Sequence, residues 1–259
     1  MVVIVALVLA FASLSLQPRQ KANQNNETKG AILMSIGQGM EADKAKDKTA
    51  YINEEYAKYI TESFAVDYQG NKVEGADAFA LLGSLKAEYA KPENERALPV
   101  FVGKKDSGES LYVFPLWGSG LWGPIWGYLA LEGDLETIYG AVFGHKGETP
   151  GLGAEIATPP FQDQFKGKSI FKGSEIVGIS VLKGAGASAG DPNAVDAISG
   201  GTITSTGVQN MIRTNLAGYA GFIEKSNNVV SASQSLDATA TEPATDLPVV
   251  EPLTDEENE

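Results

Sequence analysis

The chemistry this chain could perform is concentrated in DAISGGTITSTGVQNMI, Asp196 to Ile212. Serine and threonine hydroxyls gather there around Gly200 and Gly201, just ahead of an apolar pattern at helical spacing. The backbone N–H groups of such a loop and helix start favour an anion such as phosphate. From Val208 onward, Val208, Met211, Ile212, Leu216, Tyr219 and Ile223 follow one helix face. Thr206 and Gln209 have the spacing of a capping box, which predicts the helix start at that point and leaves Thr202 in the loop before it. A Gly/Thr turn that merely caps a helix fits the same residues.

Other chemistries have little to draw on. The 259 residues include no cysteine and one histidine, so disulfides, thiolate metal sites and thiol nucleophiles are excluded and paired-histidine sites are out of reach. No metal site and no catalytic acid–base pair is expected. His145 reads as a structural, hydrogen-bonding histidine. A net charge of −13 argues against nucleic acid as a partner. Eight acids and no base fall in Ser231–Glu259, a Ser/Ala/Thr/Pro-rich segment read as a disordered tail over 229–259. Asp255, Glu256 and Glu257 within it lack the glycine turn and oxygen spacing of a calcium loop. Gly184, Gly186 and Ala189 follow a predicted strand with G-x-G-x-x-A spacing, but GDPN after them is a turn where a dinucleotide fold needs a helix.

The elements that must position the hydroxyls form an α+β pattern: helices first, then hairpins, then mixed elements. Glu41 to Phe64, with Ile52, Tyr56 and Ile60 at four-residue steps, predicts an amphipathic helix, and Ala76 to Tyr89 a second helix. ALPVFVG and ESLYVFPLW flank KKDSG, and IWGYLAL and ETIYGAVFG flank EGDL, which predicts an antiparallel meander over Leu98–Gly144. A short helix at Pro159–Lys166 and a strand at EIVGISVLK complete the core. Trp117, Trp122 and Trp126 fall between the hairpins, where aromatic side chains usually serve the core.

The first 16 residues, MVVIVALVLAFASLSL, carry no charge. A signal peptide would want a basic segment ahead of them, and a soluble core helix would want a polar face, so a transmembrane helix over 1–17 is the preferred reading. At about 1.5 Å per residue the run spans roughly 24 Å, short of a roughly 30 Å hydrocarbon core, so the true helix is expected to begin earlier. Residues 18–40 read as a juxtamembrane linker or as the helix continuing into water. Residues 41–228 form the folded domain. Arg19, Lys21 and Lys29 after the span would by charge count hold the domain in the cytoplasm.

Two motifs carry a resemblance. Asp196, Ser199-Gly200-Gly201-Thr202 and Thr204 resemble the D-x-x-[ST]-G-A-T-x-[ST] motif of bacterial flavoproteins that hold FMN by a phosphoester to threonine. Gly201 stands where that motif usually has alanine. GHKGETPGLG, residues 144–153, resembles H-x-G-E-T-P-G-L-G, the signature of the NqrC family of sodium-translocating NADH:quinone reductase subunits and of the related RnfG subunits of Rnf complexes. The likeness extends over residues 1–224.

The resemblance implies an α+β FMN domain on one N-terminal transmembrane helix, facing the periplasm from the inner membrane, against the charge count. It implies Thr202 as the FMN acceptor, with Gly200, Gly201 and Ile203 beside it and Ser199 and Thr204 hydrogen-bonding the phosphate. Leu121 and Trp122 would border the isoalloxazine, and Glu148, Thr149, Gly151 and Leu152 would set the loop against it. Read from the residue itself, Lys183 is a cation near the phosphate or ring edge or, equally, a solvated strand end. The expected task is electron relay from NADH toward ubiquinone in a sodium pump, or in an Rnf-type complex as the alternative. Other subunits, membrane lipid and an FAD-using flavin transferase are the implied partners.

Overall fold

The computed structural model describes residues 2–239. Its centre is a five-stranded antiparallel sheet in sequential order: β1 (Ile60–Val66), β2 (Leu98–Lys104), β3 (Ser110–Ser119), β4 (Pro124–Leu131) and β5 (Ile138–His145). Successive side chains on a strand point to opposite faces, and here both faces are buried. On β3, Leu111 and Val113 enter one core while Phe114 and Leu116 enter the other. This is why the strands read as nearly unbroken apolar runs.

On the first face lie α4 (Leu85–Ala90), α5 (Pro159–Gln162) and α6 (Thr202–Thr239), with Phe143, Phe161 and Phe165 stacked edge to face below. The predicted apolar stripe of α6 is buried there from Val208 to Ile223. Tyr219 within it donates to the carbonyls of both Pro99 and Pro115, 3.0 and 3.2 Å away. Two small sheets flank this layer: β6 (Phe171–Lys172) with β7 (Glu175–Ile176), and β8 (Ser180–Leu182) parallel to β9 (Ala194–Asp196). On the second face lie α1 (Val2–Ser35), α2 (Lys48–Tyr59) and α3 (Ala78–Leu82).

The α+β meander with one long N-terminal apolar helix is as expected, while several boundaries differ. α1 continues through Pro18 to Ser35, so of the two readings of residues 18–40 the continuing helix holds for 18–35, though not into water at its end, since Ile32, Leu33 and Ile36 are fully buried against the sheet. α2 is capped by Asp47, which accepts from Ala50 N at 3.0 Å, and it stops at Tyr59. Ile60 keeps the four-residue rhythm of Ile52 and Tyr56 yet opens β1, because the free edge of β2 takes the chain as a strand. The segment 76–89 is two short helices, α3 and α4, parted at Gly83–Ser84. EIVGISVLK is broken at Gly178, whose φ of 69° ends β7 before β8 begins. α6 starts at Thr202 and extends to Thr239, past the expected end near Glu224 and into the segment read as tail. The remainder of that tail lies outside the described residues.

Candidate functional site

Three loops meet at one end of the sheet: the β3–β4 turn, the GETPGLG segment after β5, and the start of α6. They enclose a cleft of about 260 Å³ lined by Leu121, Trp122, Glu148, Thr149, Leu152, Gly153 and Gly200 to Thr204. One buried carboxylate joins all three. Glu148, 5% exposed, accepts from Trp122 N at 2.8 Å through one oxygen and from the Thr204 hydroxyl at 2.6 Å through the other. Glu148 N in turn donates to His145 Nδ1 at 3.1 Å, so the lone histidine shapes the turn, as expected of a structural histidine.

The loops approach so closely that only glycine fits at the crossings. A Cβ on Gly120 would fall 2.5 Å from Glu148 Oε1, and one on Gly153 would overlap both Glu148 and Thr204. At Gly201 it would lie 2.9 Å from Ile198 and 3.0 Å from the Leu152 carbonyl. The glycine in place of the motif's alanine therefore answers to the Leu152 backbone.

The start of α6 supplies the polar wall. The capping box expected at Thr206 and Gln209 does not form. Gln209 Oε1 instead accepts from Val181 N at 2.7 Å, tying the helix to β8. The helix begins one turn earlier, and its first backbone bond runs from Ser205 N to Gly201 O. Thr202, Ile203 and Thr204 thus have backbone N–H groups with no partner among the described residues, as the first turn of any helix leaves them. Ser205 closes the turn by donating to Gly201 O and accepting from Ile198 N, at 2.9 and 3.1 Å. Thr202 is half-buried, and its hydroxyl has no hydrogen-bond partner among the described residues.

The rest of the rim is apolar and open. Leu121 is 49% exposed, Trp122 68%, Leu152 42% and Ile203 62%. Four large apolar side chains around one cleft make a binding surface for a flat apolar group, with the helix N-terminus as the place for its anionic end.

Not every sequence-predicted residue arrives. Thr204 is buried, and its hydroxyl is spent on Glu148 instead of facing a ligand. Ser199 is exposed in the turn before Gly200 and does not line the cleft. Gly151, with φ of 75°, makes the bend behind Leu152 and donates to Glu155. Lys183 is exposed just past β8 and away from the cleft lining. Asp196 also stands apart. Its carboxylate accepts from Ser188 N and Gly186 N at 2.8 and 2.5 Å, which fixes the 184–190 loop and holds the carboxyl below the usual range. Sequence reasoning does not single out Asn215. It grips Trp117 on both sides, accepting from its N at 2.7 Å and donating to its carbonyl at 3.1 Å, just ahead of the β3–β4 turn. A polar residue between Ile212 and Leu216 on a buried helix face is the signal that could have found it.

Comparison with known proteins accords with this geometry. Residues 120–217, from the β3–β4 turn into α6, match the family model of the FMN-binding domain. The NqrC subunit of the Na(+)-translocating NADH-quinone reductase from Haemophilus ducreyi is 32% identical over 223 residues, covering 81% of this chain and 83% of that one. The chain belongs to this NqrC family. A crystal structure of the corresponding subunit of the Na(+)-translocating NADH-quinone reductase from Parabacteroides distasonis is 42% identical, with a TM-score of 0.68 over 80% of this chain and 96% of that one. The Shewanella oneidensis NqrC crystal structure gives a TM-score of 0.67 at 27% identity, over 80% of this chain and 99% of that one. The residues that line the cleft lie within the FMN-binding match.

Proposed function

We propose that the chain carries FMN bound covalently through its phosphate to the Thr202 hydroxyl and relays electrons from NADH toward ubiquinone within a complex that pumps sodium out of the cell. The observation that carries this reading is the free Thr202 hydroxyl beside three unpaired backbone N–H groups, in a cleft whose other buried hydroxyl, Thr204, is already engaged. When bound, FMN supplies reversible electron acceptance and release at its ring.

The residues divide the work. Thr202 is the ester oxygen, and the N–H groups of Thr202, Ile203 and Thr204 face the phosphate charge. Leu121, Trp122, Leu152 and Ile203 hold the ring by apolar contact and keep water from one side of it. Glu148 receives no ligand; it fixes Trp122 relative to the α6 start. Thr149 accepts from Leu152 N and Ala154 N through its carbonyl and so shapes the wall that carries Leu152. Ser199 and Lys183 take no part in this arrangement.

A threonine hydroxyl is a weak nucleophile at neutral pH, so attachment calls for a partner. In this reading a flavin transferase moves the FMN moiety from FAD: the Thr202 oxygen bonds to the FMN phosphorus and gives up its proton, while the pyrophosphate bond breaks and AMP leaves. α1 crosses the inner membrane once, in contact with lipid, and the FMN domain faces the periplasm, where it meets the other subunits of the reductase. α1 as a whole is long enough to cross a membrane, and none of its apolar stretch is buried in the protein.

The test is a denaturing gel viewed under ultraviolet light after co-expression with the transferase. Wild type fluoresces and Thr202→Ala does not. Fluorescence that persists in Thr202→Ala, or an added FMN mass on another residue, overturns the assignment.

A further inference from the structure

The direction in which α1 crosses the sheet decides which end of the domain meets the bilayer. The carbonyl of Ser35 lies against Gly140 near the start of β5, and Ile36 lies against Gly103 near the end of β2. Lys21, by contrast, lines one groove with Trp117, Pro124, Trp126 and Lys146, at the far end of the same strands. α1 therefore runs antiparallel to β5, and its apolar first half projects beyond the end of the sheet that carries the cleft.

Distances along the two elements can be compared from that groove. Leu16, the last residue of the apolar run, is about 8 Å from Lys21 at 1.5 Å per residue. Ser119, at the end of β3, is about 7 Å beyond Trp117 at 3.3 Å per residue, in the same direction. Counted from the groove that Lys21 and Trp117 share, the Gly120–Gly123 turn and the apolar half of α1 thus extend the same way by similar distances. No loop intervenes between the apolar half of α1 and its docked last turns. Those turns are held by buried Ile32, Leu33 and Ile36, and by Lys29, which donates to Asn53 at 2.6 Å and sits over the Tyr56 ring.

This end of the domain also has the chemistry of a membrane surface. Leu121, Trp122 and Ile203 are exposed there, and tryptophan favours the boundary between headgroups and acyl chains. Arg19, Lys21 and the exposed Lys146 next to the turn form a basic collar suited to anionic headgroups. We propose that in the anchored chain the Leu121–Trp122 tip and Ile203 rest in the membrane–water interface, so that the cleft opens onto lipid headgroups instead of bulk water. The proposal rests on α1 crossing the bilayer. The same contact would hold a bound ring at a fixed height over the membrane.

A chain without cysteine allows a clean test. Flavinylated full-length protein is reconstituted in vesicles of phosphatidylethanolamine and phosphatidylglycerol, with one nitroxide label at Trp122→Cys, Ile203→Cys or Ser107→Cys. Ser107 lies in the β2–β3 hairpin at the opposite end and is exposed. Labels at 122 and 203 are expected to collide more with oxygen than with a water-soluble nickel chelate, and the order is expected to reverse at 107. Two tip positions guard against misfolding of either variant. Aqueous accessibility at both 122 and 203 in protein that floats with the vesicles overturns the proposal while leaving the anchor intact. Aqueous values in the chain alone that become apolar only in the assembled complex overturn it in favour of a protein partner. Failure to float removes the anchor and the proposal together.

Discussion

α6 and α1 cover opposite faces of one sheet, and they meet it in different ways. Along α6 the contact is backbone to backbone. A Cβ on Gly207 would lie 2.5 Å from the Ser119 carbonyl, and one on Gly221 would overlap the Tyr68 carbonyl, while β3 answers with Gly118 beneath Met211. α1 brings its backbone against the sheet in its last turn, where the Ser35 carbonyl meets Gly140. Farther toward its N-terminus, clefts of about 760 and 640 Å³ open on either side of it, between Gln24 and Thr28 and the aromatic surface of Trp126 and Tyr128. The helix that starts the cleft is packed closely from Gly207 to Gly221, whereas the helix that carries the apolar span is pinned at one end. A candidate cofactor site needs sub-ångström placement of its loops, and a candidate anchor needs only a firm end point.

Several substitutions separate the two faces, starting with the largest expected effect. Glu148→Ala leaves the buried Thr204 hydroxyl without its acceptor, a cost of about 1–3 kcal/mol, and releases the Trp122 N–H as well. Thermal unfolding should show a lowered Tm and the fluorescent flavin band should weaken, while Glu148→Gln, which keeps an acceptor at one of the two positions, should recover part of both. An unchanged Tm in Glu148→Ala would remove the buried carboxylate from its place as the joint between loops.

Gly207→Ala on α6 should cost about 1–3 kcal/mol by overpacking against the Ser119 carbonyl. Gly30→Ala on α1 would meet only Ile52 Cδ1, at 3.5 Å. It should be neutral or stabilise by up to about 1 kcal/mol through helix propensity. Equal losses from the two, measured by urea unfolding, would contradict the difference in packing. Asn215→Leu keeps the helix face apolar but strips both partners from Trp117, and it should cost about 1–3 kcal/mol. Its effect should reach the β3–β4 turn, read as weaker amide-exchange protection at Gly120–Gly123.

The smallest expected effect is one of pH, at the edge of the α6 face. Hydrogen bonds from Ser188 and Gly186 hold the Asp196 carboxyl below its usual range. A depressed folded-state value means the carboxylate favours the folded loop at every pH above the ordinary value of about 4, and that contribution fades as pH falls through the lowered one. Amide-exchange protection over 184–190, corrected for the intrinsic pH dependence of exchange, should therefore be full at about pH 5 and decline below about pH 4. Asp196→Asn should show the weaker protection at both. A loop equally protected at both pH values would dissociate Asp196 from its anchoring role.

Much of the fold was legible along the chain because it is local. The two hairpins followed from apolar strands around KKDSG and EGDL, and the stripe on α6 followed from helical spacing. The boundaries that differ depend on distant partners. β1 exists because β2 offers an edge, and the start of α6 is set by Ser205 bonding to Gly201 and Ile198, not by the capping spacing at Thr206. In the site, the motifs named Thr202, Glu148 and Leu152, but not which hydroxyls stay free. Thr204 and Ser199 carry the same group as Thr202, and only their surroundings tell them apart.

The sequence by itself determined the absence of thiol chemistry, the apolar N-terminal run, the meander and the clustering of hydroxyls behind two glycines, since composition and short-range periodicity are properties of neighbours in the chain. The tertiary structure decided that Glu148 takes the Thr204 hydroxyl, that Lys183 stays outside, and that the cleft lies at the end of the sheet from which α1 projects. Those outcomes depend on contacts between segments far apart in the chain, 56 residues in the case of Glu148 and Thr204, and no local pattern encodes the orientation of one element across another.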